Sequence, residues 1–328
     1  MSRPRLGFLG TGWIGRHRME AILATGLVDA VAVADPSPDM AAEALKLAPG
    51  ARQVDGLEGL LDAGVDAVVI ATPSALHAEQ SITALERGAA VFCQKPLGRT
   101  AAEVSAVVDA ARRSDRLLAV DLSYRFTAGM TAIRPLLQHG ELGRVYACDL
   151  VFHNAYGPDK PWFYDPAQSG GGCVMDLGVH LVDLALWALD FPEVTAVDSH
   201  LFSGGEPLVS RTDRVEDYAV ATLQLVTGAV VRLACSWRLQ AGQEAVIEAS
   251  FYGSEGGVSL RNIGGSFYDF KARRHRGTTA ETLAAPADAW GGRAAEDWAR
   301  RLAAGERFDR GAERLTEVAA VLDRIYGR

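Results

Sequence analysis

From Arg5 onward the chain alternates short apolar runs with helix-patterned segments, and this alternation restricts the fold more than any other feature. Apolar runs at Arg5–Leu9, Ala30–Ala34, Ala51–Val54, Ala67–Ala71, Ala90–Cys93 and Leu117–Asp121 read as strands. Between them, Thr11–Thr25, Asp39–Leu47, Leu57–Ala63, Ser74–Arg87 and Thr100–Ser114 read as helices. The continuous run Ala67–Ala71 has no polar face, which is the pattern of a strand covered on both sides. Alternation at this spacing predicts a doubly wound parallel sheet.

After about residue 122 the pattern changes. Val145–Asn154, Val194–Phe202, Tyr218–Val226, Val230–Leu239, Ala245–Tyr252, Gly257–Leu260 and Phe267–Lys271 alternate apolar and polar residues, several of them beside turn signals such as Thr227-Gly228. They predict a large, mostly antiparallel open sheet with one apolar face, interrupted by a helix over Val174–Leu189. Helices are expected at Arg293–Ala304 and Gly311–Tyr326. The expected division is an α/β nucleotide domain, 1–122, and an α+β domain, 123–328, that includes the C-terminal helices.

The balance of the chain narrows the function classes. Its 328 residues suffice for two domains, and 48% hydrophobic with 23% charged residues is an ordinary globular composition. A net charge of −8 without a basic run points away from nucleic acid. Cys93, Cys148, Cys173 and Cys235 lack paired spacing, so neither a zinc site nor a disulfide framework is expected. Met1–Arg5 lacks a signal-peptide apolar region, and no apolar run approaches the roughly 20 residues of a membrane helix. The expectation is a cytoplasmic protein.

Gly10-Thr11-Gly12-Trp13-Ile14-Gly15 follows the first strand and opens the first helix. Glycines there allow a tight turn and close approach of a pyrophosphate to a helix N-terminus. Asp35 lies twenty positions past Gly15, at the end of the second strand. Its carboxylate can accept from a ribose 2′,3′-diol and would repel a 2′-phosphate, so NAD is expected over NADP.

Downstream, Asp176 and His180 stand four residues apart behind Gly170-Gly171-Gly172. On a helix these positions share a face. Polar groups converging on an otherwise apolar helix need partners or a task. Histidine, with an ordinary pKa near ~6.5, suits a general base.

These stretches together resemble the Gfo/Idh/MocA oxidoreductases. The resemblance is carried by Gly10–His17, by Ala71-Thr72-Pro73-Ser74-Ala75-Leu76-His77, by Val91–Leu97 containing Gln94-Lys95-Pro96, by Tyr124-Arg125-Phe126, and by Gly170–Asp183. It implies a catalytic set of Lys95, Asp176 and His180. It also implies cofactor contacts from Thr72, Pro73, His77, Gln94 and Lys95, a sugar or cyclic polyol as substrate, and a homodimer or homotetramer formed through the C-terminal sheet. The family usually has glutamate where this chain has Gln94, so an anion beside Lys95 is expected to be missing.

Further candidates lie within these stretches or outside them. Arg125 reads equally as a substrate or cofactor contact and as an interdomain salt bridge. Trp162, in Trp162-Phe163-Tyr164, could cover the apolar face of a sugar ring or dock its own loop. His153 and Asn154 close a strand and could bind substrate hydroxyls. A metal site from Asp176, His180, Asp183 and His153 is not expected, because proton transfer already uses the first two. The function expected is an NAD-dependent dehydrogenase. The alternatives are an NAD-recycling glycosidase and a sugar or NAD sensor without turnover.

Overall fold

A computed structural model describes residues 3–209 and 213–328; Met1 and Ser2, which head the N-terminal stretch read above, lie outside them. The chain forms two compact units, Met1–Asp121 with Gly292–Thr316, and Leu122–Gly291 with Glu317–Arg328.

Among the described residues of the first unit, six strands run β1 (Arg5–Leu9), β2 (Asp29–Ala34), β3 (Arg52–Gln53), β4 (Ala67–Ile70), β5 (Ala90–Cys93) and β6 (Leu118–Val120). They alternate with α1 (Trp13–Ala24), α2 (Pro38–Leu47), α3 (Gly56–Asp62), α4 (Ser74–Glu86) and α5 (Ala101–Ser114). Every neighbouring pair is parallel, in the order β3-β2-β1-β4-β5-β6. β4 and β5 are buried along their whole length, as strands covered on both faces should be. Side-chain caps set helix starts: Ser37 Oγ accepts from Met40 N–H and Thr100 Oγ1 from Glu103 N–H. The order reverses between β1 and β4, and the crevice beyond the carboxyl ends of such strands is where doubly wound sheets take ligands.

The second unit contains α6 (Ala128–Gln138), β7 (Val145–Asn154), a short α7 (Pro166–Ser169), a π-helical turn (Val174–Gly178) and α8 (Val179–Ala188). Strands β8 (Val194–Ser203), β9 (Glu206–Pro207), β10 (Tyr218–Leu225), β11 (Val230–Ser236), β12 (Ala245–Gly253), β13 (Gly257–Asn262), β14 (Phe270–Arg276) and β15 (Thr279–Ala284) follow. The sheet order is β15-β14-β13-β12-β7-β11-β10-β8-β9. Pairing is antiparallel except where β11 meets β7 in parallel. Buried residues alternate with half-buried ones: Cys148, Leu150 and Phe152 on β7, Ile247, Ala249 and Phe251 on β12. α8 is apolar on nearly every side and packs on β7, β11 and β12 as the centre of this core.

Two expectations are revised. Residues 293–303 form α9 (Arg293–Ala303), which belongs to the first unit and packs on α1 and β5, with Trp298 fully buried against Phe92. Only the later part of α10 (Arg314–Tyr326) joins the second unit. α6 and β15 carry no strong alternation or motif and were not expected. Pro166–Ala188 is long and apolar enough to span a membrane by length and composition, but 89% of its apolar 18-residue window is buried in the fold, as a core segment is.

Candidate functional site

In the first unit the nucleotide turn closes on itself. Gly10 has φ +80, and a Cβ there would lie 2.6 Å from the carbonyl oxygen of Ala71. A Cβ at Gly12 would meet nothing within 4 Å, so the outer side of the turn is open. Gly12 is the N-cap of α1 and offers no side-chain cap, which leaves the first amide groups of the helix to a ligand. A dinucleotide pyrophosphate fits this cradle. Thr11 is buried beneath it, Ile14 is half-buried, and Trp13 stands 64% exposed at its lip with its ring 6.0 Å from that of His17.

Asp35 is lodged in the same turn. One oxygen accepts from the backbone N–H of Thr11 at 2.6 Å and the other from that of Ser37 at 2.8 Å. The Thr11 hydroxyl also donates to the first of these oxygens at 3.3 Å, so it is the oxygen holding Ser37 that keeps a lone pair for a ribose hydroxyl.

Beyond β4, Thr72 Oγ1 donates to Gln80 Oε1 at 2.6 Å, and Pro73 N-caps α4. His77 is buried. Its Nδ1 lies 2.6 Å from the carbonyl oxygen of Pro96 and its Nε2 lies 2.7 Å from that of Thr72. Burial pushes its pKa down, and the two carbonyls pull it back up. His77 therefore ties the segment after β4 to the one after β5, which carries Lys95. The Lys95–Pro96 peptide is cis. Lys95 is half-buried at the carboxyl end of β5, and Gln94 beside it is buried.

Gln94 itself borders a carboxylate. Gln94 Nε2 donates to Asp121 Oδ2 at 2.6 Å, and Arg18 Nε donates to the same oxygen at 2.6 Å. Sequence reading passed over Arg18 and Asp121, since a single charge in a helix or at a strand end carries no motif.

In the second unit the Gly170–Gly172 loop is shaped by Glu216. A Cβ on Gly172 would fall 1.9 Å from the Glu216 carbonyl oxygen. The buried Glu216 carboxylate accepts from the N–H groups of Gly172 and Val174, both at 2.9 Å, and from the Tyr326 hydroxyl at 2.7 Å. Burial pushes this carboxyl up, and those donors pull it down.

The chain then enters the π turn that carries Asp176, one turn before His180 on α8. Asp176 is half-buried and accepts from the indole N–H of Trp237 at 3.0 Å. His180 is buried, 4.8 Å edge-on to Tyr124 and 6.4 Å from the Phe152 ring. The Tyr124 phenol is pushed far up, chiefly by burial and then by the Asp176 charge. Asp176 and His180 thus share a helix end walled by Tyr124 and Trp237. Neither aromatic residue was given a role from sequence: Tyr124 entered only within Tyr124-Arg125-Phe126, and Trp237 only within the expected strand Val230–Leu239, which the structure ends at Ser236.

The other candidates are placed as follows. Arg125 forms a bidentate pair with Asp183, Nε to Oδ2 at 2.8 Å and Nη2 to Oδ1, within the second unit rather than between domains. His153 Nδ1 bonds Ser236 Oγ at 2.7 Å, and its ring stacks on Tyr218, on the sheet face opposite Phe152. Burial lowers its pKa. Trp162 stacks on Phe163 at 3.8 Å, while Phe163 and Tyr164 pack against Trp237. Cys173 and Cys235, distant in sequence, are free thiols with sulfurs 3.9 Å apart under the π turn.

A parallel sheet with a helix N-terminus at its switch point places the chain among dinucleotide-binding proteins. Comparison with known proteins narrows that class. Residues 5–122 match the oxidoreductase family model with an NAD-binding Rossmann fold, and residues 130–259 match the GFO/IDH/MocA C-terminal domain. Inositol 2-dehydrogenase of Rhizobium meliloti (strain 1021) is 30% identical over 260 residues, 79% of this chain and 76% of that protein. D-glucoside 3-dehydrogenase of Escherichia coli (strain K12) is 30% identical over 211 residues, which span only 61% of this chain and 60% of that protein. A levoglucosan dehydrogenase solved with NADH and levoglucosan has a TM-score of 0.84 over 99% of this chain and 96% of its own, at 22% identity, a likeness of fold. The chain belongs to the Gfo/Idh/MocA family of NAD(P)-binding oxidoreductases.

Proposed function

We propose that the protein is an NAD-dependent dehydrogenase that oxidises a secondary hydroxyl of a cyclic polyol, sugar or sugar derivative, or reduces the matching ketone. The observation that carries this reading is the open cradle at Gly12, with Asp35 lodged in its turn and Lys95 at the carboxyl end of β5 in the same unit. The inositol and glucoside dehydrogenases among its relatives support the substrate class.

Bound NAD supplies the hydride acceptor. The amide groups at the start of α1 hold the pyrophosphate, and Asp35 accepts from the adenosine ribose diol. Lys95 donates to the reacting oxygen and stabilises negative charge as it develops there. His180 takes the hydroxyl proton, and Asp176, held by Trp237, orients the substrate beside it. Trp162 contributes an aromatic wall. The partly exposed outer face of the second sheet, with Val151, Val220 and Ala234 between the Asp149–Arg232 and Glu248–Arg261 ion pairs, is the surface we assign to self-association.

The test is NADH formation from NAD with a panel of inositols, aldoses and sugar derivatives. The native chain should produce NADH with one group of compounds, and Lys95→Ala should lower the rate by roughly 100-fold or more. Asp35→Ser should weaken NAD and relieve the rejection of NADP. NAD binding without any net NADH would move the reading to a cofactor-recycling enzyme or a sensor. Equal cofactor preference before and after Asp35→Ser would remove Asp35 from cofactor choice.

A further inference from the structure

We propose that Asp121 is the positioning anion of the strand end that carries Lys95, and that residue 94 is an amide because Asp121 already holds the charge. The inference deepens the NAD-binding reading and rests on it.

Three elements meet at one carboxylate oxygen. Gln94, at the end of β5, donates Nε2–H to Asp121 Oδ2 at 2.6 Å, and Arg18 of α1 donates Nε–H to that same oxygen at 2.6 Å. Arg18 Nη1 in turn lies 2.8 Å from His17 Nδ1. The Arg18 and Asp121 side chains are 8% and 1% exposed, so water does not screen the pair. The Asp121 backbone is also tied to β5, its N–H donating to the Cys93 carbonyl at 2.9 Å. The carboxylate therefore stands at a fixed place beside the Gln94-Lys95 segment.

A glutamate at 94 in this geometry would set two carboxylates at hydrogen-bond distance with one arginine between them, so one would have to take up a proton or move away. An amide removes the conflict. Because its nitrogen is given to Asp121, the carbonyl oxygen of Gln94 must lie on the other side of the group. Gln94 then offers an acceptor, as a glutamate would, to a cofactor ribose hydroxyl or to an ammonium. Asp121 fixes which end of the amide faces outward. It touches neither substrate nor cofactor in this account, and it acts through Gln94.

The charge-swap cycle tests this with the native chain, Gln94→Glu, Asp121→Asn and the double variant. Two quantities are read for each: thermal unfolding without cofactor, and the NAD dissociation constant from tryptophan fluorescence. Each single variant should weaken NAD by roughly tenfold, the size of coupling expected between touching groups. In the double variant the amide and the carboxylate trade places, so position 121 can donate to position 94. NAD affinity should then return to within about threefold of native. Recovery of the melting temperature without recovery of NAD affinity would make the cluster structural only and would overturn the proposal. So would a Gln94→Glu variant with native stability and affinity. Failure of the native chain itself to bind NAD would sink the nucleotide reading and this inference with it, and it would show before any variant is compared.

Discussion

Arg125 sits where either a ligand contact or an ion pair could be expected, and its partner decides. Asp183 is 1% exposed and takes both forks of the guanidinium, which also lies 5.7 Å from the Trp187 and Phe191 rings. Removing the arginine leaves a buried carboxylate without its cation, so Arg125→Ala should cost about 3–5 kcal/mol of stability. Lysine should rescue only part of this, because it cannot form the fork. The loss should depend on pH. Burial raises the Asp183 carboxyl, and Arg125 pulls it down, with the upward push the larger. A carboxyl raised in the folded state contributes stability below its unfolded value, near ~3.9, and loses it as pH rises through the folded value. Without Arg125 the folded value climbs further, so the deficit of Arg125→Ala against native should widen between about pH 4 and pH 8. Urea midpoints at the two ends of that range measure it. An equal deficit at both would mean that Asp183 does not carry the effect. At this scale Gly10–Gly15, Asp35 and the Asp176/His180 spacing were legible in the sequence because each is local. Arg18, Asp121, Tyr124 and Trp237 were not, because their roles come from partners far along the chain.

At the level of the element, the segment from Gly170 to Ala188 shows the same divide. Its apolar run and its i, i+4 polar pair foretell a buried helix, and α8 is there. The π turn before it is not foretold, because it follows from how Glu216 grips the loop. That carboxylate accepts from Gly172, Val174 and Tyr326, and the Gly172 carbonyl accepts from Asp176 N–H at 3.0 Å. Glu216→Gln would turn an acceptor oxygen into an N–H facing other N–H groups. Stability should fall by about 1–3 kcal/mol. Because the loop sets the backbone at Asp176, turnover should fall while the NAD dissociation constant stays near native. A variant with native turnover, or one in which NAD binding falls equally, would detach Glu216 from the positioning of Asp176.

Across the whole molecule, the order of strands was readable because doubly wound sheets follow from alternation alone, whereas the ownership of the last helices was not. The pattern Ala294, Ala295, Trp298, Ala299 marks one apolar face of α9 but cannot say which core receives it. The structure gives that face to the first unit: Trp298 is 0% exposed, its ring lies 5.6 Å from Phe92 of β5, and a Cβ on Gly292 would touch Ala21 of α1 at 2.4 Å. The nucleotide unit is therefore completed by residues some 170 positions beyond its main stretch, 1–121, and α9 braces the helix whose N-terminus forms the cradle. Trp298→Ala should cost about 3–5 kcal/mol, the usual loss for a buried tryptophan. Hydrogen exchange locates that cost. Amides of β5 and α1 should lose protection in Trp298→Ala, and those of β10 to β12 should keep theirs, because opening is confined to the unit that lost its packing. NAD should also bind more weakly, since the cradle lies at the end of the loosened helix. Loss of protection in the second sheet, with β5 and α1 unchanged, would return α9 to the domain that its place in the sequence implied.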